Sequence, residues 1–195
     1  MSKHMHPGAG KSSFELIDPA RVFNELSLNK GSIFLDMGCG KGKYTFAAAE
    51  ILGNEGVIYS IDLWEEGIVS LREQASAKGI NNIKAIVADL GERIPIESNM
   101  ANVCLSATVL HDLVQIGAAE NALREAARVL RPQGVLAVIE FNKVDGPPGP
   151  PLHIRLTPEE VEEMVVPHGF EKIKVVAVGR YNYLMLFSVH RKKNV

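Results

Sequence analysis

Three glycines at alternate positions, Gly38, Gly40 and Gly42, follow Asp36 closely in the chain. Glycine lets the backbone turn sharply and lets a ligand lie directly against it. A helix starting after such a turn offers unpaired N–H groups to that ligand. A second acid, Asp62, lies about 20 residues beyond the turn, the separation at which a carboxylate accepts hydrogen bonds from a ribose diol. Asp89, Ser106-Ala107, His111-Asp112 and Glu140 complete the set of residues whose types could do chemistry. His111 can exchange a proton near neutral pH, so it is a base for an attacking oxygen, nitrogen or carbon, with Glu140 as a second such base. Each has a plainer alternative. Asp36 could only orient the turn, Asp62 cap a strand end, Asp89 close a turn, and His111 pack against a ligand, with Asp112 orienting it or capping a turn. Cys39 reads as a small filler with a backbone role, and Lys41 and Lys43 as solvated.

These residues need elements to hold them, and the hydrophobic pattern supplies a regular alternation. Asp18-Pro19 has the form of a helix N-cap followed by proline at the first helical position, opening a helix to Leu28. Short apolar, β-prone runs at 32–36, 56–62, 83–88, 102–106 and 135–141 predict five strands. Helical spacing at 44–52, 65–78 and 118–130 falls between them. Thr157-Pro158-Glu159-Glu160 starts a last helix, with acids near its positive end. The runs 170–178 and 183–190 predict an antiparallel hairpin. Strands alternating with helices imply a Rossmann-like, doubly wound α/β fold. Its sheet would be seven-stranded and mostly parallel, with the C-terminal hairpin adding an antiparallel strand at one edge. Such sheets bind ligands outside the carboxyl ends of their strands. Asp36, Asp62, Asp89 and Ser106-Ala107 all fall at those ends.

Bulk composition narrows the field further. The chain has 195 residues, 46% hydrophobic and 23% charged, with a net charge of −2. That fits one domain, read as residues 18–195 behind a flexible leader, 1–17, with no broad basic field for nucleic acid. The 2 cysteines make neither a disulfide framework nor a metal quartet. Both sit in apolar runs, so buried free thiols in a reducing cytoplasm are expected. No metal site is expected, and no apolar run approaches the roughly 20 residues that span a bilayer. The segment 146–151 is a stiff proline-rich loop followed by His153 and Arg155, either a plain connector with two surface side chains or, with them, a cover that binds a polar or anionic acceptor.

The glycines do not follow the G-x-G-x-x-G spacing of dinucleotide folds, and Met37 stands where a phosphate-binding P-loop needs glycine. The ordered segments Phe34–Gly42, Ile61-Asp-Leu63, Val87–Leu90, Leu105–His111 and Arg124–Gly134 instead resemble class I S-adenosylmethionine-dependent methyltransferases. They are similar to the group acting in ubiquinone and menaquinone biosynthesis. The resemblance covers roughly Pro19 to the C-terminus, and it departs from the pattern at Gln133, where glycine is usual. It implies a cofactor set of Asp36, Gly38, Cys39, Gly40, Gly42, Asp62, Leu63, Trp64, Asp89, Leu90, Ser106 and Ala107. In that set Asp62 meets the ribose, Leu63 and Trp64 the adenine, Asp89 its amino group and Leu90 a ring nitrogen. Gly38 and the backbone near Ser106 meet the methionine end. The implied reaction is methyl transfer to a small-molecule acceptor, with S-adenosylhomocysteine as product. Two other classes stay open at this point: a non-catalytic S-adenosylmethionine-binding module and, against the glycine spacing, a nicotinamide-dependent oxidoreductase.

Overall fold

The computed structural model describes residues 12–190. Seven strands form one sheet in the order β3-β2-β1-β4-β5-β7-β6. In chain order the elements are α1 (Pro19–Leu26), β1 (Ile33–Met37), α2 (Lys43–Leu52), β2 (Val57–Asp62), α3 (Glu65–Ala77) and β3 (Ile83–Val87). They continue with β4 (Ala101–Ala107), α4 (Leu110–Gln115), α5 (Ala119–Val129), β5 (Leu130–Phe141), α6 (Pro158–Val165), β6 (Phe170–Ala177) and β7 (Asn182–Val189). β1 to β5 pair in parallel, and β7 runs antiparallel to both β5 and β6. The expected α/β architecture is the observed one.

The hairpin enters the sheet with its second strand inside. β7 is buried along nearly all of its length, whereas β6 is exposed and carries Lys172 and Lys174. An apolar strand gains from flanking partners on both sides, and lysines on the remaining edge oppose pairing with another chain. Two large apolar clusters, and a small one of Cys39, Ile68, Leu71 and Ala85 beside α3, cover the sheet among the described residues. Of the large clusters, one joins alternate residues of β1, β4, β5 and β7 to α5 and α6; the other joins the intervening residues to α1 and α2. The end signals act as read: Asp18 accepts from the Arg21 N–H at 3.1 Å, and Thr157 and Glu160 form a reciprocal capping box.

Three expectations shift. Of the stretch 1–17 read as a leader, 1–11 lie outside the described residues, but 12–17 are packed. Ser13 is buried and shares a 2.9 Å hydrogen bond with the Tyr44 hydroxyl, and Phe14 meets the Tyr44 ring edge-on at 5.0 Å. These partners are remote in the chain, so no local pattern announces them. α4, between β4 and α5, was not anticipated, because its 6 residues are too few to show helical periodicity. β5 starts at Leu130 rather than Val135. Gln133 takes the glycine-like conformation, with φ of 63°, a position where a side chain costs about 1 kcal/mol.

Candidate active site

The glycine turn is built from β1 into α2 and anchored on β2. The N–H groups of Gly38 and Cys39 donate to the Ile61 carbonyl at 2.8 and 3.0 Å. Gly40 N–H donates to Asp62 Oδ2 at 2.8 Å, and Trp64 N–H to Asp62 Oδ1, also at 2.8 Å. Asp62 therefore ties the turn to the end of β2 with one hydrogen bond per oxygen. Each oxygen keeps a second lone pair for a ligand. Gly38 has φ of 77°, and a Cβ there would lie 2.5 Å from Val109 Cγ2. Only glycine permits this backbone to sit against the segment after β4. Above Gly40 no atom of the described residues lies within 4 Å of where a Cβ would stand.

Asp36 lies beneath the turn, 1% exposed, accepting from the Thr45 hydroxyl at 2.6 Å, which also bonds Ser60. Burial pushes its carboxyl up to about 7, the Thr45 bond works against that shift, and the charge of Asp62 adds to it. This burial gives Asp36 a supporting place under the turn. An acid whose folded-state value is raised holds its proton longer than the unfolded chain does, so its ionisation destabilises the fold as pH rises. Asp36→Asn should therefore gain stability relative to wild type between about pH 4 and about pH 7, by an amount on the order of a few kcal/mol. Urea unfolding of both proteins across that window checks it; a constant difference would contradict the shift.

Burial also raises the Cys39 thiol, with Asp36 adding to the effect, which agrees with a packing role. Leu63 is 44% exposed beside Asp62, and Lys41 Nζ stands 5.7 Å from the Trp64 ring centre. At the end of β3, Asp89 Oδ1 accepts from Gly91 N–H at 2.8 Å, and Leu90 is buried. Near the end of β4, Ser106 is buried and its hydroxyl has no hydrogen-bond partner among the described residues. Ala107 and Thr108 follow, and the Thr108 hydroxyl donates to Ser13 Oγ at 3.3 Å. The whole expected cofactor set thus lies at the carboxyl ends of β1 to β4.

The two expected bases are brought together. His111 is 5% exposed and Glu140 fully buried, with His111 Nδ1 at 2.7 Å from Glu140 Oε2 and the His111 backbone N–H donating to Oε1 at 3.1 Å. His111 Nε2 faces Asp112 Oδ1 at 3.4 Å. Burial opposes a charge on the ring, but the Glu140 hydrogen bond and the charges of Glu140 and Asp112 outweigh it and raise His111 above its ordinary value; Arg155 acts in the opposite sense.

Arg155 corrects an expectation. It is buried, and its guanidinium donates to the carbonyls of Pro150, Asn142, Val144, Gly146 and Pro148 at 2.6 to 3.2 Å. All five donors are spent on the loop itself, so none is left for an acceptor. A guanidinium is the side chain best able to satisfy several carbonyls of an irregular segment. His153 is exposed on that loop.

Fold and site together define a doubly wound α/β domain with a glycine-rich turn at the switch in strand order, between β1 and β4. Residues 28–176 match the family model described as a methyltransferase domain, and the chain belongs to that family. The demethylmenaquinone methyltransferase of Geobacillus stearothermophilus is 28% identical over 122 residues, which is 63% of this chain and 50% of that protein. The ubiquinone/menaquinone biosynthesis C-methyltransferase UbiE of Ectopseudomonas mendocina is 34% identical over 130 residues, 66% of this chain and 48% of that one. The chain spans about half the length of these curated relatives. A crystal structure of a SAM-dependent methyltransferase from Aquifex aeolicus superposes with a TM-score of 0.83 at 28% identity, covering 94% of this chain and 93% of the other. The [4+2]-cyclase SpnF, at 18% identity, shares the fold with a TM-score of 0.75 over 89% of this chain and 80% of its own. No helix among the described residues is long and apolar enough to cross a membrane.

Proposed function

We propose that this chain binds S-adenosylmethionine across the carboxyl ends of β1 to β4 and transfers its methyl group to a small-molecule acceptor held near the ends of β4 and β5. One observation carries the reading: Asp62 grips the glycine turn through Gly40 and Trp64, with space at Gly40 that no described residue fills. The donor set fits the group. Asp62 offers lone pairs to a ribose diol, Leu63 and Trp64 offer apolar surface to the adenine, and Asp89 with the Leu90 backbone reads its edge. The orphan Ser106 hydroxyl and the Gly38 turn are placed for the methionine end.

The sulfonium supplies a methyl group that is already reactive. The chain's own work is then to align donor and acceptor, exclude water and, where the acceptor keeps its proton, receive that proton at His111. Burial of both cysteines as free thiols supports a reducing, cytoplasmic setting for residues 18–195 acting as one unit, with the packed 12–17 segment part of it. Calorimetry is expected to show binding of S-adenosylmethionine and S-adenosylhomocysteine and none of NAD. An acceptor screen read by S-adenosylhomocysteine release should then give turnover. It includes a demethylated menaquinone, because relatives are named for that acceptor. A folded protein that binds neither compound would sink the proposal, and binding without turnover of any acceptor would favour a non-catalytic module.

A further inference from the structure

We propose that Glu140 is a positioning residue for His111, holding the ring proton on Nδ1 and leaving Nε2 to receive a proton, so that the acceptor is one whose nucleophilic atom still carries its proton when it binds. This rests on the methyl-transfer reading above.

The geometry makes the assignment. Glu140, the penultimate residue of β5, has no exposure, and each of its oxygens has a different partner on His111, one the ring and one the backbone N–H. An ionised carboxylate only accepts, so the 2.7 Å contact makes Nδ1 the donor and Nε2, which faces Asp112 Oδ1 at the longer distance of 3.4 Å, the basic nitrogen of the neutral ring. The second bond, to the backbone of α4, fixes where the ring starts as well as how it is turned. Burying a carboxylate completely is costly without such partners. An apolar pair would pack the same space without that cost.

The location also points to chemistry. His111 is two residues beyond Val109, whose side chain walls Gly38, and it follows β4, whose penultimate residue Ser106 has a hydroxyl without a partner among the described residues. The charged and titratable groups around the pair come from α4, β7 and the loop before α6, besides the strand β5 that carries Glu140. Asp112 of α4 lies 3.4 Å from Nε2, and Arg155 lies in the loop before α6. Tyr183 of β7 stands opposite Glu140 in the sheet, with its hydroxyl donating to the Leu156 carbonyl at 2.7 Å. Glu140 itself completes the set from β5.

The step balances. The acceptor atom forms a bond to the methyl carbon and gives its proton to Nε2. The electron pair of the broken carbon–sulfur bond stays on sulfur, which becomes neutral. The positive charge passes to the imidazolium, between the carboxylates of Glu140 and Asp112. Acceptors that arrive ionised or have no proton to lose, such as thiolates and tertiary amines, need no such pair.

Ring nitrogen NMR of the histidine-labelled, ligand-free protein tests the positioning directly. Wild type should show the Nδ1–H tautomer at high pH and a titration above that of an ordinary histidine. Glu140→Gln should lose the tautomer preference and titrate lower, and Glu140→Asp should keep part of both. An Nε2–H tautomer in wild type, or shifts unmoved in a folded Glu140→Gln, would overturn the proposal. The acceptor class is tested by S-adenosylhomocysteine release with phenol, which brings its proton, and thiophenol, which arrives largely ionised near neutral pH. Glu140→Gln should lower phenol turnover by about 10²–10⁴-fold, the span of acid–base assistance, and thiophenol turnover by less than about tenfold. Equal losses would overturn the acceptor class. Turnover of neither probe counts against methyl transfer and not against the ring's positioning, which the nitrogen shifts decide alone.

Discussion

Arg155→Ala should lower the free energy of unfolding by about 3 kcal/mol, near the upper end for a single substitution, because it removes the side chain that gathers the carbonyls of the loop after β5. Five carbonyls between Asn142 and Pro150 converge on this guanidinium. Hydrogen bonds to a charged donor are worth about 1.5–3 kcal/mol each, but a loop at the surface can open and return its carbonyls to water, so the five do not add. Arg155→Lys should recover little, because a single ammonium cannot reach carbonyls arranged around a planar fork. Urea unfolding gives the magnitude, and hydrogen exchange should place the loosening in residues 142–156. Wild-type unfolding and exchange in the alanine variant would show that the loop is held by its own prolines. The loop's end is tied beside the His111–Glu140 pair through the bond from Tyr183 to Leu156. A loosened loop should therefore also weaken acceptor binding while leaving S-adenosylhomocysteine affinity nearly intact.

Asp62→Ala should weaken S-adenosylhomocysteine by roughly 1.5–3 kcal/mol, tenfold or more in affinity, from the lost ribose contact. The structure adds a second consequence. The same carboxylate accepts from Gly40 and Trp64, so its removal leaves two half-buried N–H groups without that partner. The ligand-free variant should thus lose about 1–2 kcal/mol of stability as well. Asp62→Asn should behave similarly, since its amide donates toward one of the two N–H groups and accepts from only the other. Calorimetry measures the first effect and thermal unfolding without ligand the second. Unchanged affinity would place the ribose elsewhere, and unchanged stability would show that the turn holds itself.

Much of this protein was legible in the order of its residues. The strand–helix alternation, the glycine turn and the acids at strand ends are local patterns, and each is decided within one turn or strand by backbone freedom, periodicity and capping. Their placement at one edge follows because every parallel strand delivers its carboxyl end to the same side of the sheet. That is why Asp36, Asp62, Asp89 and Ser106 could be assigned together.

Tertiary structure decided what depends on partners distant in the chain. His111 and Glu140 are separated by 29 positions and read in the sequence as two separate candidate bases; packing brings His111 Nδ1 to 2.7 Å from Glu140 Oε2. Arg155 looked free to meet an acceptor because nothing in a sequence counts donors already used, and the carbonyls that use them belong to an irregular loop without a period. Ser13 fell within a polar stretch that reads as a leader, yet its hydroxyl meets Tyr44 and Thr108, 31 and 95 positions away. Residue type and spacing thus determined which chemistry the strand ends could perform. Only the fold decided which polar groups satisfy one another and which remain for a ligand, because a buried hydrogen bond is set by distance in space.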